Sequence, residues 1–302
     1  MNESNSEWND YWRTARGERR EVDPTGTDAI VPFFLAEGPV PGGAVSVLDL
    51  GCGAGALSDR LIKSNYPQSQ FLGVDLSHDA AHVMANKTKG LAIQGDLAKL
   101  PLAASTIDWV VSQFALEYAS VNAWAEAGRV VKPGGRLTVV AHARGSLIYT
   151  EHEKALVDFS TLDQIIHASV KRAPTGEPLA VVGEQVLGRA IEQLRAMVGD
   201  QPGGLARPMS DALLGVLTRL SGGKGLPSSN ELGSLRRWLT DYKFYKARVE
   251  SMLHAAMTPS DFMGAQQSLV NAGFTVRTAG FLTAPGGGRL GFKLSALKRT
   301  KL

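Results

Sequence analysis

The chain has 302 residues, 44% of them hydrophobic, enough for one large domain or for one domain with a sizeable insertion. Its formal net charge of +3 is too small to imply a nucleic-acid partner without a clustered basic patch, and the charge alone excludes no class of function. The single cysteine, Cys52, excludes an internal disulfide, and no apolar run approaches the length that spans a bilayer. Because the polar N-terminus lacks a signal-peptide pattern, we expect a cytoplasmic protein that does not enter a membrane.

The first 140 residues predict a short helical segment followed by an alternating α/β pattern. Residues 1–44 contain Trp8 at helical spacing from Tyr11 or Trp12, which predicts an amphipathic helix. Short β-branched runs then alternate with helical stretches, as in a parallel sheet. The predicted strands are Val45–Leu50, Gln70–Val74, Leu91–Gln94, Ile107–Ser112 and Arg136–Ala141. The predicted helices are Ala56–Asn65, His78–Lys89 and Val121–Val131, and Lys132-Pro133-Gly134-Gly135 predicts a turn into the fifth strand.

The character of the chain changes after Tyr149, where residues 150–258 indicate helices broken by stretches rich in Gly, Pro and Ser. Apolar residues recur there at helical spacing, which predicts packed amphipathic helices: Leu156, Phe159, Leu162, Ile165 and Ile166, then Leu213, Leu214, Leu217 and Leu220. Trp238, Tyr242 and Tyr245 share one helix face. We interpret them as a core-facing stripe rather than as a surface for stacking nucleic-acid bases.

The pattern returns to the sheet near the C-terminus. Thr258-Pro259-Ser260-Asp261 predicts a helix start, and a sixth and a seventh strand are expected at Gly273–Arg277 and Arg289–Leu297. The helical region is therefore predicted to be an insertion within one domain.

The first strand ends in an acid and continues into glycines at every second position, in Asp49-Leu50-Gly51-Cys52-Gly53-Ala54-Gly55. Glycines permit positive φ angles, and they let the polar end of a ligand approach unpaired main-chain N–H groups. The spacing alone is ambiguous, because Gly51, Gly53 and Ala56 also satisfy the looser dinucleotide fingerprint.

Two further acids help to choose the cofactor. Asp75 ends the second strand and can accept hydrogen bonds from both hydroxyls of a ribose. Asp96 ends the third strand and can accept from an exocyclic amine while the N–H of Leu97 donates to the base. Any one of these acids alone could instead cap the following helix. A nicotinamide cofactor would explain Asp75 but neither Asp49 nor Asp96, so the set favours an adenosine with a compact polar group.

This set of residues resembles the class I S-adenosylmethionine-dependent methyltransferases, over about Val45–Ala141. The resemblance implies an α/β fold with a doubly wound, mostly parallel seven-stranded sheet whose last strand is antiparallel, with the helical insertion after strand 5. It implies S-adenosyl-L-methionine as the cofactor. By resemblance, Asp49 holds its amino group, Asp75 takes the ribose, and Asp96 with Leu97 takes the adenine. The remaining residues expected to line this site are Gly51, Gly53, Gly55, Leu76 and Gln113.

The expected organisation has four parts: an N-terminal helical lid at 1–44, a cofactor-binding core at 45–149, a helical cap at 150–258, and a last helix with two strands at 259–302. In the family that the chain resembles, such an N-terminal segment commonly lies over the cofactor. The alternative is an amphipathic helix packed on the outer core.

The acceptor pocket is expected where the fifth strand ends. His142 is our candidate for a general base, and the alternative is a hydrogen-bonded structural histidine. The candidate pocket residues are Tyr11, Glu117, Tyr118, Ser146 and Tyr149. For Glu117 and Tyr118, which are weaker candidates than His142, the alternative is a solvated acid beside a packed aromatic ring. No metal is expected, because the six histidines show no ligand spacing.

The sequence therefore predicts an S-adenosylmethionine-dependent methyltransferase that acts on a small-molecule acceptor by direct SN2 transfer, because a helical cap suits enclosure of a compact ligand. One alternative keeps the enzyme class and makes the acceptor an RNA or a protein. Another is a cofactor-binding regulatory or scaffold protein without turnover. The acceptor atom and the oligomeric state are left open.

Overall fold

The computed structural model describes residues 29–172, 178–181, 184–200, 206–221 and 229–300. The described residues form two compact units. Unit 1 comprises the chain up to Tyr149 and again from His254, and unit 2 comprises Thr150–Leu253. None of the described helices is both long enough and apolar enough to cross a bilayer.

Unit 1 is built on a seven-stranded sheet. Its strands, numbered in chain order, are β1 (Ser46–Leu50), β2 (Gln70–Asp75), β3 (Leu91–Gln94), β4 (Ile107–Gln113), β5 (Val131–Ala141), β8 (Phe274–Thr283) and β9 (Arg289–Lys298). The two strands between β5 and β8 in the chain belong to unit 2 and are described below. Their order across the sheet is β3-β2-β1-β4-β5-β9-β8. The first five strands are parallel, and β9 runs antiparallel to both of its neighbours. The predicted mostly parallel sheet with an antiparallel last strand is confirmed.

Five helices accompany this sheet in the described part of unit 1: α1 (Ile30–Glu37), α2 (Ala56–Ser64), α3 (His78–Thr88), α4 (Asn122–Val130) and α9 (Pro259–Asn271). Local capping explains where two of them begin. The Ser77 hydroxyl accepts the N–H of Ala80 at the start of α3. Thr258 and Asp261 form a reciprocal capping box before α9, whose first residue is proline. The helices predicted between strands therefore occur within one or two residues of their expected bounds.

Both faces of the sheet are buried, as expected for parallel strands covered by helices. Alternate residues of β1 point to opposite sides, so Val47 packs in one cluster with Phe34 and Trp109 while Leu48 packs in another with Trp124. This alternation leaves the carboxyl ends of β1, β2 and β4 as the positions from which polar side chains can reach a ligand.

The fifth strand differs from its prediction. It begins at Val131 rather than Arg136, because Ile107 of β4 pairs with Val131 and Trp109 pairs with Arg136. The predicted Lys-Pro-Gly-Gly turn is therefore looped out of the pairing as a bulge inside β5, with Gly134 at a φ of +78°.

Unit 2 is mainly helical, with α6 (Glu184–Asp200), α7 (Arg207–Ser221) and most of α5 (Leu147–Ser169) and α8 (Ser229–Ala255). A short antiparallel pair, β6 (Val170–Arg172) with β7 (Pro178–Val181), lies in a region that the sequence had indicated as helical. Trp238 stacks on Tyr242 at 5.0 Å between ring centroids, and both are buried with Tyr245. The aromatic stripe therefore faces the core of unit 2, as predicted.

Candidate functional site

The turn between β1 and α2 depends on its glycines. Gly51, Gly53 and Gly55 have φ angles of +66°, +49° and +73°, in the region that side chains disfavour. A Cβ on Gly51 would lie 2.2 Å from the Cβ of Ala115, and one on Gly55 would lie 2.8 Å from Cγ of Met84. The backbone is thus closely packed on both sides of the turn.

The main-chain N–H groups of this turn are already used within the protein. Gly51 and Cys52 both donate to the carbonyl of Val74, at 2.7 and 3.2 Å, Gly53 donates to Oδ2 of Asp75 at 2.9 Å, and Gly55 donates to the carbonyl of Cys52 at 2.8 Å. The expectation that these N–H groups are unpaired and face a ligand is therefore wrong. They fasten the turn to the end of β2, and contact of Gly51, Gly53 and Gly55 with a cofactor stays a prediction.

Asp49 lies at the end of β1 and is only 2% exposed. Its Oδ2 accepts a hydrogen bond from the Ser58 hydroxyl at 2.6 Å, and the main-chain N–H of Ser58 also donates to the carboxyl group. Burial raises the pKa of Asp49 to about 6, the two Ser58 hydrogen bonds oppose that rise, and the charge of Asp75 adds to it. Ser58 therefore holds the carboxyl group in place, and the remaining lone pairs of its oxygens can accept from a ligand.

Asp75 is the last residue of β2 and is also buried. Its Oδ1 accepts the N–H of Ser77 at 2.8 Å, and its Oδ2 accepts that of Gly53 at 2.9 Å. Burial raises the pKa of Asp75, and these two hydrogen bonds act in the opposite direction. Ser77, not Asp75, caps the following helix. Because each carboxylate oxygen has a second lone pair, Asp75 keeps capacity for two further donors.

The third acid is placed differently. Asp96 follows β3 and is exposed, and its Oδ1 accepts the N–H of Ala98 at 2.9 Å. Leu97 beside it is buried. Leu76 is half-buried after β2, and Gln113 is the last residue of β4. All four lie where parallel strands end, and their contact with a cofactor stays a prediction.

Glu117 and His142 form a buried pair. Oε1 of Glu117 accepts the main-chain N–H of His142 at 2.8 Å and lies 2.7 Å from its Nδ1. The Glu117 side chain is fully buried, and Oε2 has no hydrogen-bond partner. Our alternative for Glu117, a solvated acid, is therefore wrong. The neighbouring ring of Tyr118 lies edge-on to the His142 ring at 5.8 Å.

Two residues that the sequence did not single out hold this pair in place. Phe114 stacks on the imidazole at 4.2 Å between ring centroids, and its φ of +53° is unusual for a residue with a side chain. Met257, where the chain returns from unit 2, donates its N–H to the carbonyl of His142 at 2.9 Å. Phe114 needs an uncommon backbone conformation, and the contact of Met257 with His142 joins residues that are far apart in the sequence. No local sequence pattern therefore indicates either residue.

The remaining predicted pocket residues are not all brought together. Ser146 is buried, and its hydroxyl accepts the N–H of Tyr149 at 3.1 Å, so it caps α5. Tyr149 itself is half-buried. Tyr11 lies outside the described residues, and so do residues 1–28 of the segment 1–44 predicted as a lid. The described part of that segment includes α1, which packs in the core through Ile30 and Phe34.

Comparison with known proteins decides the family of this core. Residues 48–139 match the family of methyltransferase domains. They form a class I S-adenosylmethionine-dependent methyltransferase domain. The cofactor of such a domain is S-adenosyl-L-methionine, as the three acids and the glycine turn had indicated.

The relatives of this methyltransferase domain differ in the substrates that their names state. The chain is 31% identical over 143 residues to a malonyl-[acyl-carrier protein] O-methyltransferase of Hahella chejuensis, covering 43% of the chain and 51% of that protein. It is 36% identical over 107 residues to a ubiquinone/menaquinone biosynthesis C-methyltransferase of Syntrophotalea carbinolica, covering 32% and 44%. The chain thus spans about half or less of the length of these relatives.

Among solved structures, an S-adenosylmethionine-dependent methyltransferase from Mesorhizobium loti aligns with 90% of this chain and 100% of its own, at a TM-score of 0.46 and 16% identity.

The residues of the methyltransferase domain fit its cofactor. The buried carboxyl group of Asp49 suits a cationic amino group, and the spare lone pairs of Asp75 suit ribose hydroxyls. Ser58, which orients Asp49, escaped the sequence analysis. Its signal is a hydroxyl residue in the first turn of the helix that follows the glycines.

Proposed function

We propose that this chain is an S-adenosylmethionine-dependent methyltransferase that transfers a methyl group directly to a small-molecule acceptor. The observation that carries the proposal is the pair of buried carboxyl groups, Asp49 and Asp75, on either side of a turn whose Gly51 admits no side chain. Burying an unpaired acid is unfavourable, and no described cation faces either carboxyl group. Their burial therefore supports a ligand with complementary donors.

In this proposal each part of the cofactor has its own contacts. The carboxyl group of Asp49 accepts from the amino group, Asp75 accepts from the ribose hydroxyls, and Asp96 with Leu97 forms hydrogen bonds with the adenine. Gly51, Gly53, Gly55, Leu76 and Gln113 line the same site. The cofactor supplies a methyl group that is already electrophilic. The protein therefore contributes by aligning the acceptor, by excluding water and, through His142, by taking a proton.

A small acceptor agrees with the low net charge of +3 and with a relative whose name states ubiquinone/menaquinone biosynthesis. The relative whose name states malonyl-[acyl-carrier protein] favours instead an acceptor carried on a protein. That the helices of unit 2 select and enclose the acceptor stays a prediction from the sequence.

The test is incubation of the protein with methyl-labelled cofactor and a fractionated cell extract, with separate nuclease and protease treatments. We expect label in a low-mass product that resists both enzymes. Label lost on nuclease or protease treatment would make the acceptor an RNA or a protein. Cofactor binding measured by calorimetry without transfer to any fraction would instead indicate a non-catalytic, cofactor-binding protein.

A further inference from the structure

The hydrogen bonds of Glu117 define which nitrogen of His142 carries a proton. Oε1 already accepts a main-chain N–H, at 2.8 Å, so its second lone pair takes the proton of Nδ1 at 2.7 Å. The lone pair of the neutral ring then resides on Nε2. Nε2 has no hydrogen-bond partner within the described part of the chain.

The His142 ring is also held in one orientation. Phe114 stacks on one face at 4.2 Å, and the edge of Tyr118 approaches at 5.8 Å. The main chain is held by Glu117 at its N–H and by Met257 at its carbonyl. A ring flip would break the bond from Nδ1 to Glu117, so Nε2 keeps a single direction.

This pair lies next to the cofactor turn. Ala115 is packed so closely against Gly51 that an added Cβ there would lie 2.2 Å from its own Cβ. Glu117 follows two residues later, in the short 3-10 helix Leu116–Tyr118. One segment therefore contacts the glycine turn at one end and His142 at the other.

Packing alone does not explain an acid at this position. The Glu117 side chain is fully buried and its Oε2 is unpartnered, an arrangement that lowers the stability of a folded protein. A buried carboxylate facing Nδ1 does stabilise the imidazolium that forms when Nε2 takes a proton. The carboxylate of Glu117 can thus stabilise the protonated ring during proton transfer, which a neutral side chain could not do.

We propose, on the basis of the function proposed above, that Glu117 is a positioning residue that makes Nε2 of His142 a proton acceptor. The methylated atom of the acceptor must then carry a proton, as in a hydroxyl, thiol, N–H or activated C–H compound, and a carboxylate is excluded. The lone pair of that atom, or in a C–H acceptor the electron pair of its bond to hydrogen, forms the bond to the methyl carbon, and the carbon–sulfur bond breaks with its electron pair passing to sulfur. The proton passes to Nε2 and leaves later to water. A carboxylate is already deprotonated at neutral pH and gives Nε2 nothing to accept.

The first experiment measures which nitrogen of the His142 ring carries the proton. In the full chain carrying ¹⁵N-histidine, with the His142 signals assigned through His142→Gln, we expect a protonated Nδ1 and an unprotonated Nε2 at pH 8. In Glu117→Ala the proton should move largely to Nε2. A wild-type ring protonated on Nε2, or a ring unchanged in Glu117→Ala, would overturn the positioning role.

The second experiment measures transfer in Glu117→Gln, which keeps the side-chain shape and an acceptor oxygen. We expect incorporation of labelled methyl into the low-mass fraction to fall at least about tenfold, with cofactor affinity by calorimetry within about twofold of wild type. Glu126→Gln is the matched control, because Glu126 also accepts a main-chain N–H, from Leu100 at 2.9 Å, but faces no histidine. Transfer by Glu117→Gln equal to that by the control would contradict the proposal.

The third experiment identifies the class of acceptor. Mild alkali releases the label of a methyl ester as volatile methanol, whereas methyl ethers and N-methyl groups keep it. We expect the label to stay in the product, and its release would show a carboxylate acceptor and overturn the inference. A wild-type protein that binds no cofactor, or transfers no label at all, would refute the proposed function itself, and the ring measurement would still report on Glu117 and His142.

Discussion

The Ser58 hydroxyl, from the first turn of α2, donates to Oδ2 of Asp49 at 2.6 Å, and both groups are buried. The glycine turn thus brings a hydroxyl from the helix back to the acid that ends the preceding strand. This hydrogen bond favours the ionised carboxyl group that burial disfavours. The pH response of Asp49 consequently depends on Ser58, which favours the ionised form, as well as on burial and the charge of Asp75, which disfavour it.

The free energy of unfolding should reflect the raised pKa of Asp49, which is about 6 in the folded chain against an ordinary value of 3.8. Below pH 4 the group is protonated in both states. Between about pH 4 and 6 the unfolded chain loses this proton while the folded chain keeps it, so the free energy of unfolding falls as pH rises. The loss persists above pH 6 and amounts to about 3 kcal/mol at most.

Asp49→Asn should remove this dependence. We expect the variant to be about 1–3 kcal/mol more stable than wild type at pH 8 and nearly equal to it at pH 4, in urea unfolding monitored by circular dichroism. Its cofactor affinity should fall. A constant difference in stability between the two proteins at all pH values would contradict the raised pKa.

Ser58→Ala should shift the pH response of cofactor binding. Wild-type affinity should decrease by up to about tenfold per pH unit below pH 6, as Asp49 takes a proton. Without the serine hydrogen bond the pKa of Asp49 rises further, so the decrease should begin at a higher pH. Calorimetric titrations between pH 5 and 8 measure this, and identical profiles for the two proteins would exclude Ser58 from the site.

Asp75→Ala should affect both folding and binding. The change leaves the N–H groups of Gly53 and Ser77 without acceptors and removes the proposed ribose contact. We therefore expect losses of about 1–3 kcal/mol in unfolding free energy and a similar loss in cofactor binding.

Asp108→Ala is the matched control for this variant. Asp108 accepts the N–H of Ser46 at 2.9 Å but lies near the opposite, amino-terminal end of β4. The Asp108→Ala change should lower the free energy of unfolding without changing cofactor affinity. An equal loss of affinity in both variants would show that the Asp75 effect is only structural.

Gly51→Ala should destabilise the turn by about 2 kcal/mol or more, because the added methyl group meets Ala115 and the φ of +66° disfavours any side chain. Gly286→Ala is the comparison, since nothing lies within 4 Å of an added Cβ there. We expect the thermal midpoint to fall clearly in the first variant and to change little in the second. Equal midpoints would show that the turn can relax around a side chain.

Most of the sheet could be predicted because its signals are local. Alternating β-branched runs, the glycine turn and the capping box at Thr258 each act within a few residues. The pair β6–β7 escaped, since Val170–Arg172 is too short to show a period.

The acids of the site could be predicted from the sequence, but the groups that form hydrogen bonds in the site could not. Asp49 and Asp75 stand at strand ends, which the sequence pattern shows. The use of the turn N–H groups by Val74 and Asp75, and the contact of Glu117 with His142, depend on how strands align in space. Those contacts decide which atoms remain available to a ligand.

The bridge between Ala143 and Met257 joins the point where the chain leaves unit 1 to the point where it comes back. Backbone contacts within unit 1 therefore hold the two ends of the intervening segment next to each other. We expect that this segment can be exchanged for a longer, shorter or unrelated one while the sheet of unit 1 keeps its fold. If unit 2 selects the acceptor, as the sequence predicts, such an exchange would change the acceptor and leave the methyl donor the same.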